Sequence, residues 1–340
     1  MSSNRRPGLR ARPSGRGPRR AVARRPRWLW PAIGAGIVAV VAISFSILAV
    51  RGGDKADSTV AAVPTVSAIS TLSAAPSGDG ELSQIKTNDF HSMAVSPSDP
   101  NLLLYGHHGG VLRSTDGGRT WNKTNLTAET DDAMGMGFAG GSASVVYAAG
   151  HGTFFKSTDA GKTWTKMQSK LPGTDIHGMS VSPDNGQRLY ANIGGSGFYR
   201  SDDGGENWKK AYQLTFPGDV IQVSASKGNV VYVASVGSGV LRSDDAGATF
   251  QPTAKLNGGV LTVAAHASDA GTVYAGTESG FFASSDGGAT WTERTPPGGG
   301  QAMVSAVSPT DPRRVTVVMV RPDKAGHVYT SRDGGMSWTN

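Results

Sequence analysis

The sequence lacks cysteine altogether. The chain therefore has no disulfide framework, and anchoring as a lipoprotein is excluded. Acidic residues are missing from residues 1–27, which carry ten arginines, whereas the whole chain of 340 residues has a net charge of +7. The remainder is therefore net −3, so the basic isoelectric point arises in this short tail and says nothing about the rest of the protein.

Residues 28–50 are 23 uncharged, mostly apolar residues. As a helix they would measure roughly 35 Å, enough to cross a hydrocarbon core of about 30 Å. A cleaved signal peptide has a shorter apolar core and a small-x-small cleavage site, so an uncleaved transmembrane signal anchor is favoured over cleavage. The arginines before this segment and a lone Arg51 after it predict a single-pass cell-membrane protein with residues 1–27 cytoplasmic and the rest extracytoplasmic.

The basic tail is interpreted as a topology signal with some attraction to anionic lipid, and a nucleic-acid partner is not expected. Residues 51–81 are rich in Ala, Ser, Thr, Pro and Gly and show little periodicity. They are predicted to form a flexible linker between the membrane and a domain at residues 82–340.

One short phrase occurs six times in that domain, beginning with Ser114 in STDGGRTW and ending with Trp338 in SRDGGMSW. The aspartates of the six phrases lie 43, 44, 42, 41 and 47 residues apart. They are Asp116, Asp159, Asp203, Asp245, Asp286 and Asp333. A period of about 40 to 45 residues is typical of propeller blades with four strands each. The sequence thus predicts an all-β fold, a six-bladed β-propeller.

Each phrase is interpreted as a tight turn, because aspartate accepts hydrogen bonds from the amides that follow it and glycine allows positive φ. Five of the seven tryptophans end these phrases, and Phe250 replaces the ring once. We expect these rings to pack between neighbouring blades. The alternative, that each phrase binds a ligand or calcium, is less favoured because six evenly spread copies are typical of structural joints.

Three short runs rich in apolar residues precede each phrase and one follows it, which completes a blade of four strands. In the first blade they are residues 91–96, 102–106 and 110–114, followed by a run that begins at Trp121. The last blade lacks room for its fourth strand, because the chain stops two residues after Trp338. Residues 82–86 are predicted to supply that strand and close the ring.

The phrase S-x-D-x-G-x-T-W resembles the Asp box, or BNR repeat, and the resemblance covers residues of about 82 to 340. Such repeats are found in sialidases, xyloglucan-cleaving glycoside hydrolases, the sortilin ectodomain and a photosystem assembly factor. Exported bacterial proteins of this type are often labelled glycosyl hydrolases. The resemblance implies a propeller but leaves the function open, because these relatives include both enzymes and binding proteins.

A site is expected where the repeats differ from one another. The loops that enter strand one and those that join strands two and three share a face, opposite the Asp boxes. Alignment of the blades places four aspartates at the start of strand one, with Glu278 in a loop across the channel, as candidate catalytic carboxylates. The four are Asp89, Asp132, Asp175 and Asp219.

Five of the seven histidines fall in the same loops. They are His91, His107, His108, His151 and His177, in blades one to three. Imidazole beside carboxylate suits a divalent metal such as zinc, or general acid–base chemistry near neutral pH. Capping aspartates and solvated histidines are the structural alternative. His266 and His327 are expected to be structural, and no cofactor other than such a metal is predicted.

Sialidases bind the sugar carboxylate with three arginines, one of them within an R-I-P motif. This chain has no Ile-Pro dipeptide, and Arg321 is the one arginine in those loops, so a typical sialidase is not expected. A glycosidase needs two carboxylates about 5 to 10 Å apart, so such an enzyme stays open. Two functions follow. The first is an envelope protein that binds or hydrolyses a glycan at the Asp and His face. The alternative is a non-enzymatic scaffold or assembly factor that binds a protein partner.

Overall fold

The computed structural model describes residues 80–87, 89–212 and 219–338. They lie within Val66–Asn340, the second of two units into which the chain divides. The predicted tail, the predicted anchor at residues 28–50 and nearly all of the predicted linker lie outside the described residues. The part of the chain that is described contains no helix long and apolar enough to cross a membrane.

Six four-stranded antiparallel sheets make up this structure, and each is one blade. The first strand, β1, is Ser83–Ile85. Blades 1 to 3 contain β2 (Ser92–Val95), β3 (Leu103–His107), β4 (Gly110–Ser114), β5 (Asn122–Lys123), β6 (Gly135–Phe138), β7 (Val146–Gly150), β8 (Thr153–Ser157), β9 (Thr165–Lys166), β10 (Ile176–Val181), β11 (Leu189–Ile193), β12 (Gly197–Ser201) and β13 (Lys209–Lys210). Blades 4 to 6 contain β14 (Val220–Ala225), β15 (Val231–Ser235), β16 (Gly239–Ser243), β17 (Gln251–Pro252), β18 (Val260–Ala265), β19 (Val273–Thr277), β20 (Gly280–Ser284), β21 (Thr292–Glu293), β22 (Gln301–Val307), β23 (Val315–Val320) and β24 (Gly326–Ser331). The prediction of six four-stranded blades is confirmed.

The core lies between the blades. The second strands are almost wholly buried, as in β7, because both of their faces are covered by neighbouring sheets. One cluster combines Leu104 and Val111 of blade 1 with Met136 and Phe155 of blade 2. Each blade therefore completes its hydrophobic core only with its neighbour, as expected for a repeat architecture.

The ring closes through β1, which pairs with β24 and forms the outer strand of blade 6. The register places Ser83 opposite Val328 and Ile85 opposite Gly326. Ile85 is only 2% exposed and packs with Val328. The predicted closure by residues 82–86 is thus confirmed, and it joins the first and last blades without leaving an open edge between them.

The Asp boxes form self-contained turns. Asp159 Oδ1 accepts hydrogen bonds from Ser157 Oγ at 2.8 Å and from the Thr163 amide at 2.9 Å, while its Oδ2 accepts one from Thr163 Oγ1 at 2.6 Å. The Ser157 hydroxyl in turn accepts a hydrogen bond from the Gly161 amide. The same pattern recurs at Asp116, Asp203, Asp245, Asp286 and Asp333. Both carboxylate oxygens are engaged within the turn, which favours the structural interpretation of the boxes.

The box aromatic rings lie against the preceding blade, as expected. The Trp208 ring of blade 3 meets Phe154 of blade 2 edge to face at 6.2 Å, and Trp208 Nε1 donates a hydrogen bond to Ser169 Oγ. Phe250 meets Phe198 at 5.2 Å in the same manner. Phenylalanine thus fills the aromatic position in blade 4 without a polar N–H group.

Candidate functional site

The strand connections place two sets of loops on the face opposite the Asp boxes. The entry to each inner strand and the connection between the second and third strands lie there, because successive strands are antiparallel. Eight side chains of these loops form a continuous row across blades 1 to 4, which we call the Asp–His arc. It consists of Asp89, His91, His108, Asp132, His151, Asp175, His177 and Asp219.

The first group of the arc belongs to blade 1. Asp89 Oδ2 contacts His108 Nδ1 directly, lies 3.0 Å from His91 Nε2 and accepts a hydrogen bond from the His108 amide at 2.9 Å. His91 Nε2 lies 3.2 Å from His108 Nδ1. One carboxylate oxygen therefore faces two imidazole nitrogens.

Asp132 joins blade 1 to blade 2. Its Oδ2 lies 2.6 Å from His151 Nδ1 and 3.6 Å from His108 Nε2. The His151 amide donates a further hydrogen bond to the same oxygen at 3.0 Å. The Asp132 side chain is only 4% exposed, and the rings of His108 and His151 stack 5.4 Å apart. A buried carboxylate thus sits between two imidazoles from different blades.

The last group extends the arc to blade 4. Asp175 Oδ1 lies 3.0 Å from His151 Nε2 and 2.9 Å from His177 Nε2, and His177 Nδ1 lies 2.5 Å from Asp219 Oδ2. His177 occupies a β-bulge between Ile176 and Gly178 where the register of β10 shifts. Bulges re-aim a side chain relative to the regular pleat, and this one directs His177 between the two aspartates.

Hydrogen bonding governs the electrostatics of the arc. Burial alone would raise the pKa of Asp89, but hydrogen bonds from His108 and His91 outweigh it and hold that pKa well below its usual range. Burial would also raise the pKa of Asp132, but hydrogen bonds from the side chain and the amide of His151 outweigh it and lower that pKa. Hydrogen bonds to Asp89 and Asp219 raise the pKa of His108 and of His177, respectively. The buried carboxylates are therefore held in the ionised form.

Two predicted site residues are not among the eight of the arc: His107 borders it, and Glu278 lies in blade 5. His107 Nδ1 lies 3.9 Å from Asp89 Oδ1, and burial lowers the pKa of His107. Glu278 accepts a hydrogen bond at 3.3 Å from the amide of Gly259 in its own blade. None of the contacts described for Glu278 links it to the arc.

His327, which was predicted to be structural, contacts two carboxylates. Its Nδ1 lies 2.9 Å from Glu81 Oε2, and its Nε2 lies 3.0 Å from Asp323 Oδ2. Arg321 lies 3.6 Å from the same glutamate and donates a hydrogen bond to the Pro297 carbonyl. These side chains anchor the entry of β1 to blade 6. His266 is buried, as expected for a structural residue.

Gln222 is a site residue that sequence reasoning missed. From the inner strand of blade 4 its side-chain amide donates a hydrogen bond to the carbonyl of His91 in blade 1, across the channel. A cavity of 390 Å³ is lined by the inner strands, Gln222 among them, and by the loops that follow them on the Asp-box side. No residue of the arc lines this cavity. The one sequence signal for Gln222 was a polar residue between the apolar Ile221 and Val223 of its strand.

Three groups in the arc have the composition of metal sites. They are Asp89, His91 and His108; His108, Asp132 and His151; and His151, Asp175 and His177. In each group one ligand atom per residue lies within 4.8 Å of the others. Two histidines and one carboxylate are a common donor set for divalent transition metals. The arrangement can therefore accept a cation, or donate and accept hydrogen bonds along a row.

Fold and turns together define a six-bladed Asp-box β-propeller. Residues 83–256, about half of the chain, match the model of the family described as photosynthesis system II assembly factor YCF48. The chain belongs to this family. Comparison with curated protein sequences gives no significant match.

Solved structures with the same fold include GH74 enzymes and YCF48. The GH74 xyloglucanase from Xanthomonas campestris has 19% identity and a TM-score of 0.54, and the GH74 enzyme from Niastella koreensis has 21% identity and a TM-score of 0.50. The matches cover 76% and 74% of this chain but 46% of each enzyme, so the chain spans less than half of their length. A structure of YCF48 bound to D1 peptide has 18% identity and a TM-score of 0.50, with 79% of this chain and 87% of that chain covered.

Proposed function

We propose that this protein is a non-enzymatic assembly factor that holds a segment of a partner protein at the Asp–His arc. Membership of the YCF48 family is the observation that carries the proposal. The extent of the match supports it, since the chain accounts for 87% of the YCF48 chain that was solved with a peptide and for less than half of either GH74 enzyme.

The electrostatics of the arc support binding rather than glycoside hydrolysis. The general acid of a glycosidase must keep its proton near neutral pH, which requires a raised pKa. Hydrogen bonds lower the pKa of both Asp89 and Asp132 instead. Of the other candidate acids, Asp175 and Asp219 both face His177 in the arc. Glu278 has its described hydrogen bond within its own blade. Carboxylates that are ionised near neutral pH can act as hydrogen-bond acceptors in a surface that recognises a partner.

The exposed end of the arc indicates the chemistry of the partner. The side chains of Asp175 and Asp219 are 50% and 44% exposed, so their carboxylates have room to accept further hydrogen bonds. Such carboxylates pair best with arginine or lysine side chains and with free backbone amides. We therefore infer an extended protein segment that carries basic residues as the partner.

The proposed location is the outer side of the cell membrane. The apolar residues 28–50 and the arginines before them support a single-pass anchor with a cytoplasmic N-terminus. Protease added to spheroplasts should degrade the propeller while a tag at the N-terminus stays protected. Protection of the propeller under these conditions would refute this topology.

Site-specific photo-crosslinking in intact membranes tests the binding proposal. A photoreactive residue at Thr174, which is exposed beside Asp175, should yield a discrete crosslinked partner. The matched control is a photoreactive residue at Met336, which is 69% exposed in the last Asp box on the opposite face. This position should yield little of the crosslinked product. Equal yields at the two positions would contradict the proposal.

A hydrolysis assay tests the enzymatic alternative separately. The purified full chain is incubated with xyloglucan and other envelope and plant glycans, and the release of reducing ends is measured. We expect no turnover above that of an Asp89→Asn variant. Turnover that this variant abolishes would establish a glycosidase and overturn the proposed function.

A further inference from the structure

We propose that the Asp–His arc binds two zinc ions, one at each end, with Asp132 between them as an outer carboxylate. This inference goes beyond the proposed function and does not depend on it. Site A consists of Asp89, His91 and His108, and site B of His151, Asp175 and His177.

At site A, two of the three distances between ligand atoms are close to those of a tetrahedral zinc site. Zinc lies about 2.0–2.1 Å from nitrogen and oxygen ligands, so the ligand atoms of a tetrahedral ion are roughly 3.3 Å apart. Asp89 Oδ2 lies 3.0 Å from His91 Nε2, which lies 3.2 Å from His108 Nδ1. The third pair, His108 Nδ1 and Asp89 Oδ2, is in direct contact. Small rotations of these side chains would bring all three atoms onto one ion.

Site B has the same donor set as site A, two histidines and one aspartate. Asp175 Oδ1 lies 3.0 Å from His151 Nε2 and 2.9 Å from His177 Nε2. All three atoms are within 4.8 Å of one another. Because Asp175 is half exposed, the fourth position of a tetrahedral ion would face solvent and remain open.

The imidazole tautomers limit the arc to two ions. A neutral imidazole offers one lone pair and carries a proton on its other nitrogen. If His108 binds at site A through Nδ1 and His151 binds at site B through Nε2, the remaining N–H groups of both rings point at Asp132 Oδ2. An ion in the middle group would need those same nitrogens, so it would compete with both outer ions.

Outer carboxylates complete each site. Histidines that bind a metal usually donate the other ring N–H group to a carboxylate, which fixes the tautomer. Asp132 would take this role for His108 and His151, and Asp219, at 2.5 Å from His177 Nδ1, for His177. Asp132 is 3% exposed, and within the described structure its Oδ1 is buried without a hydrogen-bond partner. A carboxylate so deeply buried and aimed between two imidazoles is expected beside bound cations.

Metal stoichiometry tests the proposal. The full chain is stripped with a chelator, titrated with zinc in the low micromolar range and analysed by calorimetry and elemental analysis, which should give two ions per chain. His91→Ala should leave the ion of site B and His177→Ala the ion of site A, and an ion that is retained shows that the variant is folded. His107→Gln is the matched control and should keep both ions.

The role of Asp132 gives a second readout. Asp132→Asn keeps every proposed ligand, so it should retain both ions with affinities about 10- to 100-fold lower. Failure of the wild-type chain to bind zinc would overturn the proposal, as would binding that neither His91→Ala nor His177→Ala changes. A single ion that Asp132→Asn abolishes would also overturn it, because that result places the metal in the middle group.

Discussion

Aspartate occurs in two different settings in this chain. In the Asp boxes the carboxylate is bound by its own turn, as when Asp203 Oδ1 accepts hydrogen bonds from Ser201 Oγ and the Asn207 amide. In the arc the partners are histidines that follow in the same blade or belong to a neighbouring one, as when His177 contacts Asp219. The Asp-box setting depends on local sequence and is repeated in every blade. The setting in the arc depends on how neighbouring blades meet.

The box aspartates should make the fold sensitive to acid. Hydrogen bonds lower the pKa of Asp203 and Asp333 to about 2 from an ordinary 3.8. Because the folded pKa lies below the unfolded one, the boxes stabilise the fold above about pH 4 and lose this effect as the pH falls toward 2. Urea unfolding measured between pH 5 and pH 2.5 should show a falling midpoint. The decline should be shallower when Asp203 and Asp333 are changed to asparagine, and an unchanged pH profile would contradict the assignment.

Two boxes carry alanine where the others have glycine, and this should cost stability. Ala160 has a φ of 59°, a left-handed conformation that is unfavourable for residues with a Cβ atom. Ala160→Gly should therefore raise the free energy of unfolding by about 1 kcal/mol. The mirror change, Gly117→Ala at a φ of 78°, has no atom closer than 3.4 Å to the added Cβ and should lower it similarly. Both changes are measured by urea unfolding. A loss of stability in Ala160→Gly, or a gain in Gly117→Ala, would refute the strain.

At the scale of single elements, β1 should be essential for closing the ring. Ile85 is buried against Val328 in the last blade, so Ile85→Ala should lower the free energy of unfolding by about 3 kcal/mol. The neighbouring Lys86 is exposed, and Lys86→Ala should change stability by less than about 0.5 kcal/mol. Similar effects of the two changes would show that the strand is dispensable.

The second strands also link neighbouring blades through tyrosine. Tyr274 of blade 5 donates a hydrogen bond to the Pro312 carbonyl of blade 6 at 2.8 Å, whereas the buried hydroxyl of Tyr147 has no partner within the described residues. Tyr274→Phe should therefore cost about 1 kcal/mol, and Tyr147→Phe nearly nothing. Thermal unfolding of both variants measures the difference. An equal loss in both would mean that the hydrogen bond between blades contributes no stability.

The elements were predictable because they repeat. Six copies of the box set the blade length and the number of blades. The arc was predictable as a location, since the histidines break the repeat. Which side chains of the arc contact each other was not predictable, because a contact such as that between His108 and Asp132 depends on the distance between blades. The hydrogen bond of Gln222 across the channel has no local sequence pattern either.

On the scale of the whole molecule, the two faces of the ring have separate roles in this account. The Asp-box face holds turns whose carboxylates are hydrogen-bonded within the turn. The opposite face holds the carboxylates and imidazoles of the arc. Fold similarity extends to GH74 enzymes and to YCF48, so the ring alone does not decide between catalysis and binding. The arrangement of the arc and the family membership favour binding.

A partner protein is proposed to bind at the arc and not at the boxes. The dissociation constant of the partner identified by crosslinking, measured for two variants matched in charge change, tests this most directly. We expect that Asp175→Asn combined with Asp219→Asn weakens binding at least tenfold, while Asp203→Asn combined with Asp333→Asn leaves it unchanged. Unchanged binding in the arc variant, or a greater loss in the box variant, would contradict it.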